Sequence, residues 1–369
     1  MYIHNQKNWP RLTIDHTKTA DLLADVRHLQ GKLLGRMETL GFILQEEASL
    51  ETLTHDVTKT SEIEGETLDA EQVRSSIARK LGMDIATPIP PSRDVEGIVE
   101  IMLDATQKHN KPLTKERLCN WHTALFRAGS SGMQHINVGE WRDDSAGAMQ
   151  VVSGAIGKEK VHYEAPTFDR LEKEMMDFMA WYNTPSDMDL VLKSALAHFW
   201  FVTIHPFDDG NGRIARAIAD MTLAQAEQSQ KRFYSMSSQI QKQRKGYYDV
   251  LEQCQKGGLD ITLWIIWFLE CLRNTIIASD KMLAVVLTKS HFWDNHKEDL
   301  FNERQRLFIN RLFDGFTGNL TSSKWAKIGK CSQDTALRDI TDLIERGILQ
   351  KNSAGGRSTN YALTLSSKK

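Results

Sequence analysis

The chain of 369 residues carries 46 Lys and Arg against 48 Asp and Glu, a formal net charge of −2, with 41% hydrophobic and 25% charged residues. That length can bury a large core and fits two or three domains, and the near-neutral balance excludes a chain built as a whole to bind polyanions. Cys119, Cys254, Cys271 and Cys331 form no C-x-x-C pair, so reduced thiols are expected rather than disulfides or zinc. Met1-Tyr2-Ile3-His4-Asn5 lacks a basic-then-apolar signal pattern, and no window offers the roughly 18 apolar residues of a membrane span. A cytoplasmic protein is expected.

Residues 1–90 are expected to form an N-terminal helical region. It opens with an extended apolar arm containing Trp9-Pro10 and Leu12-Ile14. Leu22, Leu23, Val26, Leu29, Leu33, Leu34, Met37 and Leu40 recur at three and four, which predicts one amphipathic helix from Thr17 to about Ala48. A second helix, from about Leu50 to Glu64, stops at Gly65, and a third over 67–82 closes at Gly82. Thr87-Pro88-Ile89-Pro90-Pro91-Ser92 reads as a stiff connector.

Residues 91–290 are expected to be the core. Val95 to about His109 and Leu113 to about Arg127 read as helices, the second N-capped by Thr114. The texture changes at Gly139-Glu140-Trp141-Arg142. The β-prone runs Met149–Gly154 and Lys160–Glu164, turning about Gly154 and Gly157, predict a hairpin over 149–164. Helices over Leu171–Tyr182 and Asp189–Thr203 then lead into His205-Pro206-Phe207-Asp208-Asp209-Gly210-Asn211-Gly212-Arg213-Ile214-Ala215-Arg216.

Pro206 and the glycines should end the first helix near His205 and start a second after a tight loop. Such a loop aims backbone N–H groups and a helix N-terminus at one point, a geometry that receives phosphate. Arg213 and Arg216, three apart, can grip further phosphate oxygens. Asp208 or Asp209 can hold magnesium, and His205 is an imidazole able to take a proton from a hydroxyl.

The string matches His-Pro-Phe-x-Asp/Glu-Gly-Asn-Gly-Arg-x-x-Arg without a gap, and so resembles the Fic family of nucleotidyltransferases, which move AMP from ATP onto a protein hydroxyl. The resemblance implies a mainly α, Fic-like helical bundle with a β-hairpin flap. It implies ATP as substrate, His205 as base, Asp209 as the Mg2+ carboxylate, and Gly210, Asn211 and Gly212 as an anion hole with Asp208 beside it. Arg213 would face the β-phosphate and Arg216 the γ-phosphate. Lys160, Val161, His162 and Tyr163 would be the flap strand on which a protein substrate presents a Ser, Thr or Tyr hydroxyl. Tyr247, Tyr248 and, less directly, Gln255 would surround the adenosine.

Thr60, Glu64 and Gly65 fit the family's inhibitory pattern Ser/Thr-x-x-x-Glu-Gly/Asn, here N-terminal to the loop at 60–65. By that likeness Glu64 pairs with Arg216 where the γ-phosphate should bind. Glu64 placing a hydrolytic water, and so removing AMP, is a second expectation. A kinase variant of the family has lysine at the second loop glycine, and Gly212 does not match it. The rival from another class is an ATP-sensing DNA-binding regulator with an inactive pocket.

The apolar helix over 260–290 is expected to be core or a subunit contact, and a homodimer is the expected assembly. Residues 291–369 read as a separate module. Over 301–369, twelve Lys and Arg stand against six Asp and Glu. Three helices and a hairpin about Gly355-Gly356 resemble a winged helix-turn-helix. Ser332, Gln333, Thr335 and Arg338 would be its DNA contacts, with Arg357 and Ser358 on the wing; protein docking is the other expectation.

Overall fold

Apolar residues at helical spacing and well-capped termini build a mainly helical chain. The computed structural model describes residues 1–83, 89–127, 129–131, 134–145, 147–154, 158, 160–313, 316, 318–352 and 359–364. Arg357, Ser358 and the turns at Gly157 and Gly355-Gly356 lie outside the described residues. The chain divides into two units, Met1–Ser279 and Asp280–Lys369. Residues 1–90 thus share a unit with the core. The expected break at 290 falls inside one unbroken helix.

In the first unit the helices are α1 (His16–Glu38), α2 (Phe42–Ile63), α3 (Ala70–Leu81), α4 (Arg93–Gln107) and α5 (Lys115–Leu125). A short pair, β1 (Ser130–Ser131) and β2 (Gln134–His135), precedes the hairpin strands β3 (Gln150–Ser153) and β4 (Lys160–Glu164). Then come α6 (Phe168–Asn183), α7 (Leu190–Ile204), α8 (Asn211–Glu227), α9 (Met236–Lys242), α10 (Arg244–Gln255) and the long α11 (Thr262–Asn295), which begins in this unit and continues past Ser279.

Two expectations are corrected. The predicted Thr17–Ala48 helix breaks at Thr39–Gly41, because Gly41 takes extended backbone and N-caps α2 while the apolar spacing runs on across the break. The N-terminal arm is also not simply extended, since Ile3–Asn5 forms a 3-10 turn that buries Ile3 and His4. Trp9 Nε1 then donates to Glu174 and the backbone bridges Thr13 to Asp260, so the arm is pinned to the core.

The central element is α7, buried at every residue from Val191 to Ile204, as its uninterrupted apolar sequence requires. It packs against α8. Trp264 on α11 closes one side by donating from Nε1 to the Ala195 carbonyl at 2.8 Å. The α4–α5 crossing is closer still: a Cβ built on Gly97 would lie 1.8 Å from the Ala124 carbonyl oxygen. Among the described residues no helix is long and apolar enough to cross a membrane.

The second unit adds α12 (Glu303–Phe313), α13 (Ser322–Ile328), α14 (Gln333–Glu345) and the antiparallel pair β5 (Leu349–Lys351) and β6 (Tyr361–Leu363). Its core centres on Phe308 stacked on Trp325, ring centroids 4.0 Å apart, with Ile340, Leu343 and Tyr361 around them. A bridge between Leu320 and Tyr361 joins the start of α13 to the hairpin.

Gly97→Ala should force α4 and α5 apart and cost roughly 1–3 kcal/mol, the usual cost of overpacking. Urea unfolding would show this as a lower midpoint; an unchanged midpoint would mean the crossing is looser than described.

Candidate active site

The active loop begins where α7 ends. His205 takes left-handed backbone, φ 54° and ψ 60°, which is uncommon for a residue with a side chain and turns the chain sharply. Phe207 is buried behind the loop, stacked on His122 with ring centroids 4.1 Å apart. The buried Asn211 amide staples Phe207 through both backbone groups, at 2.9 Å to its N–H and 2.8 Å to its carbonyl. Gly210 N-caps α8 at φ 79°, and a Cβ there would lie 2.9 Å from the Phe126 ring. The Asp208 carboxylate accepts from the Asn137 N–H at 2.8 Å. Asp208 and the Asn211 side chain therefore shape the loop, and the open backbone N–H groups at the start of α8 are what an anion would meet.

His205 Nδ1 lies 3.1 Å from the Val202 carbonyl. A carbonyl can only accept, so Nδ1 carries the proton and Nε2 keeps a lone pair. Burial first, then the nearby Arg142 cation, pushes the imidazole down to about 4 against the raising effects of the Val202 bond, Asp209 and Glu64. At neutral pH the ring is an uncharged acceptor.

Arg213 and Arg216 are both buried, and each is held by an acid from the end of α2. Arg216 donates from Nε to Thr60 Oγ1 at 2.7 Å, and from one terminal nitrogen to the Thr60 carbonyl at 3.0 Å and Glu64 Oε1 at 2.7 Å. Arg213 pairs with Glu66 at 2.7 Å and lies over the Phe126 ring. Arg213 Nε and the other terminal nitrogen of Arg216 are buried donors without a partner. Gly212 makes room for this arrangement, because a Cβ there would lie 2.3 Å from Glu64 Oε1. A carboxylate thus sits over the N-terminus of α8, where the helix dipole favours an anion.

Asp209 is 44% exposed; one of its oxygens accepts from the Gly210 N–H and the other lies 4.0 Å from Arg213. Among the described residues no group of three or more His, Cys, Asp or Glu could hold a metal ion. The exposed Asp209 carboxylate beside an anion cradle nevertheless fits magnesium, which keeps several waters and bridges a carboxylate to substrate phosphates.

Beside the loop, β3 and β4 pair antiparallel with a register shift between Val151 and Val152. Lys160, Val152 and Val161 face outward. His162 ties the strand down, Nδ1 to Glu252 and Nε2 to Ser153 Oγ, both at 2.6 Å.

Three residues expected at the ligand or target surface point into the core. Tyr163 donates to the Thr203 carbonyl at 2.7 Å and anchors the flap. Tyr247, 1% exposed, packs against His198, Trp264 and Trp267. Gln255 Nε2 reaches Thr203 Oγ1 at 3.3 Å. Tyr248 is half-buried and donates to Glu64 Oε2 at 3.2 Å. Sequence reasoning missed Glu66 and Arg142. Glu66 is one more acid in an acidic string, paired with a residue 147 positions away, and nothing local marks it.

The first unit has the fold of Fic proteins. Over 98% of this chain and 99% of its own, a Fic family protein from Desulfovibrio desulfuricans G20 superposes with a TM-score of 0.53 at 20% identity. A Fic domain containing signaling protein from Bacteroides thetaiotaomicron covers 69% of this chain and 95% of its own, with a TM-score of 0.51 at 19% identity. Residues 112–223 match the profile of the Fic/DOC family, and residues 2–83 match one described as a domain of unknown function (DUF4172). The chain carries a Fic domain. The Protein adenylyltransferase Fic of Culex quinquefasciatus is 27% identical over 284 residues, 74% of this chain and 47% of that protein. The chain spans about half the length of such curated relatives.

Burial also sets an acid limit. It holds His122 at about 4, His198 at about 3 and His205 at about 4, all below the unfolded value near 6.5. Between those values the unfolded chain binds more protons, so this contribution to stability is present above about pH 6.5 and is lost as pH falls toward 4. The thermal midpoint should drop across that window. A midpoint flat from pH 7 to pH 4 would contradict it.

Proposed function

We propose that this chain is a protein adenylyltransferase whose site is closed by the end of α2. The observation that carries the reading is a neutral His205 Nε2 beside a helix N-terminus and two buried arginines already holding carboxylates. Such a cradle accepts the polyphosphate of ATP, and the names of the curated relatives favour AMP as the transferred group.

A target Ser, Thr or Tyr hydroxyl would approach along the outer face of the flap, its segment lying beside β4 as an added strand at Lys160–Tyr163. His205 Nε2 takes the hydroxyl proton. The oxygen forms a bond to the α-phosphorus as the bond to the bridging oxygen breaks, and pyrophosphate leaves. Little of this is covalent work for the protein, so positioning and charge neutralisation dominate. The Gly210–Gly212 backbone receives the phosphates, Arg213 lies on the β-phosphate side and Arg216 on the γ-phosphate side. Asp209 would hold Mg2+, which when bound neutralises phosphate charge. Tyr248 would flank the adenosine, with Tyr247 supporting it edge-on at 5.0 Å.

Inhibition follows from the same geometry. Glu64 occupies the place of the γ-phosphate and Glu66 that of an oxygen nearer Arg213, so ATP can enter only with its α-phosphorus out of line. The second unit, three helices followed by a hairpin, is read as a winged helix that docks DNA or protein. The exposed side of α14 offers Arg338 beside Asp334, Asp342 and a half-exposed Leu337.

Labelling from ATP carrying the isotope at the α-phosphate should rise about tenfold or more in Glu64→Gly, one 1.4 kcal/mol step or more of removed competition. It should fall by roughly 10²–10⁴ on adding His205→Ala. Label from the γ-phosphate should not transfer. Equal labelling in wild type and Glu64→Gly would sink the inhibitory role, and persistence in His205→Ala would sink the base. Incubating AMP-modified target with both proteins separates removal, which would need Glu64, from transfer.

A gel-shift titration of a short duplex at low salt tests the winged-helix reading, with a steep loss of binding on adding salt expected for phosphate contacts. Absence of any shift at low salt would leave protein docking.

A further inference from the structure

Arg142 lies in none of the elements that face the nucleotide, yet it is 2% exposed and carries a guanidinium into the core just behind the loop. Burying a cation is costly unless its donors are met, and no carboxylate is in ion-pair range of it among the described residues. Carbonyl oxygens meet it instead. Nε donates to the His205 carbonyl at 2.8 Å and a terminal nitrogen to the Pro166 carbonyl at 2.6 Å. Its own backbone N–H donates to the Pro206 carbonyl at 2.9 Å.

These three bonds touch two separate parts of the site. His205 and Pro206 are the bend that aims the imidazole, and His205 holds left-handed backbone that persists only where its surroundings over-determine it. Pro166 follows the end of β4, next to Ala165, whose N–H pairs with the Met149 carbonyl at the base of the hairpin. One rigid fork therefore joins the residue that would take the proton to the strand that would present the hydroxyl. Arginine suits this because its donors diverge in a plane at fixed angles; a lysine ammonium cannot span both carbonyls in the same way.

We propose that Arg142 is a positioning residue of the transfer reaction, fixing the backbone of His205 and the foot of the flap in one frame. The proposal rests on the adenylyltransferase reading for its kinetic consequences, but its structural part can be tested without turnover. A fork that only plugged the end of α7 would alter stability alone. A positioning fork also alters turnover, flap order and the charge environment of the base. Among the described residues, the charged groups that act most on His205 are Arg142 from the segment before the flap, Asp209 from its own loop and Glu64 from the end of α2.

The experiment compares Glu64→Gly with the double variants carrying Arg142→Met or Arg142→Lys. Turnover should fall by about 10²-fold in Arg142→Met, the usual cost of misplacing a reacting group by an ångström. The dissociation constant of ATP should stay within about twofold of the parent, since Arg142 touches no part of the cradle. In ¹³C-histidine spectra, with the signal assigned by its loss in His205→Ala, the His205 midpoint should rise by roughly one unit in Arg142→Met, as removal of a nearby cation requires. In Arg142→Lys the midpoint should stay with the parent while turnover still falls, because charge remains and the fork is lost. Hydrogen exchange should speed up at 149–166 and 203–208 in both variants.

An unmoved His205 midpoint in Arg142→Met, with turnover within about threefold of the parent, would overturn the proposal. Where Arg142→Met fails to fold, a folded Arg142→Lys with parental turnover and parental exchange at 149–166 overturns it. If Glu64→Gly itself transfers no AMP, the activity reading fails, and the titration and the exchange pattern alone decide Arg142.

Discussion

A buried guanidinium cannot be left alone, and the site is arranged around two of them. Arg216 and Arg213 lie on the first turns of α8, where the helix dipole already favours negative charge, and each binds a carboxylate from the turn that ends α2. Each arginine is buried while its acid is partly exposed, so removing the acid costs free energy by leaving a buried cation uncompensated. A phosphate oxygen is a partner of the same kind, so exchanging carboxylate for phosphate avoids most of that cost. The same electrostatics that make a cradle for an anion therefore make it easy for the chain to fill it with its own acids.

On the proposed reading, exchange would not require α2 to leave. Leu50, Leu53, Val57 and Ile63 are buried, and Thr54 and Thr58 bond back to the helix backbone. The acids sit beyond this anchored stretch, with Glu64 as C-cap and Gly65 at φ 90° between Glu64 and Glu66. A positive-φ glycine there lets the two carboxylates reach different arginines from one turn. Thr60 is on the anchored side and holds Arg216 by side chain and carbonyl together, so the aim of the arginine does not depend on Glu64 alone.

The helices, the hairpin and the loop were legible because each is marked locally, by periodicity, glycine or an unbroken motif. The break at Thr39–Gly41 was not, since Leu33, Leu34, Met37 and Leu40 continue the helical spacing into it and only the packing of two helices decides where one stops. Likeness to a family places a residue near a site without saying which way it faces. Tyr163, Tyr247 and Gln255 were all near, and all point inward because their hydroxyl or amide finds a buried partner in Thr203 or His198. Glu66 and Arg142 were invisible for a different reason: their meaning lies in partners distant in sequence, 147 positions away for Glu66 and 63 and 24 for Arg142.

The motif itself divides its labour in a way that the string conceals. Asp208 and Asn211 look like ligands and are used as internal braces. Phe207 looks like filler and is the keel, clamped by the Asn211 amide in front and the His122 ring behind. Only His205, Asp209, Arg213, Arg216 and the backbone at the start of α8 remain to face a ligand. The bracing residues reach the loop from α5, from the segment holding Asn137 and Arg142, and from α8 itself, so the loop is held by stretches distant in sequence. Charge concentrated in so small a space would otherwise spread the loop apart, and a cradle that opened freely would lose the fixed dipoles on which electrostatic catalysis depends. The bracing lies behind the loop, and the turn that carries Glu64 and Glu66 lies in front of it.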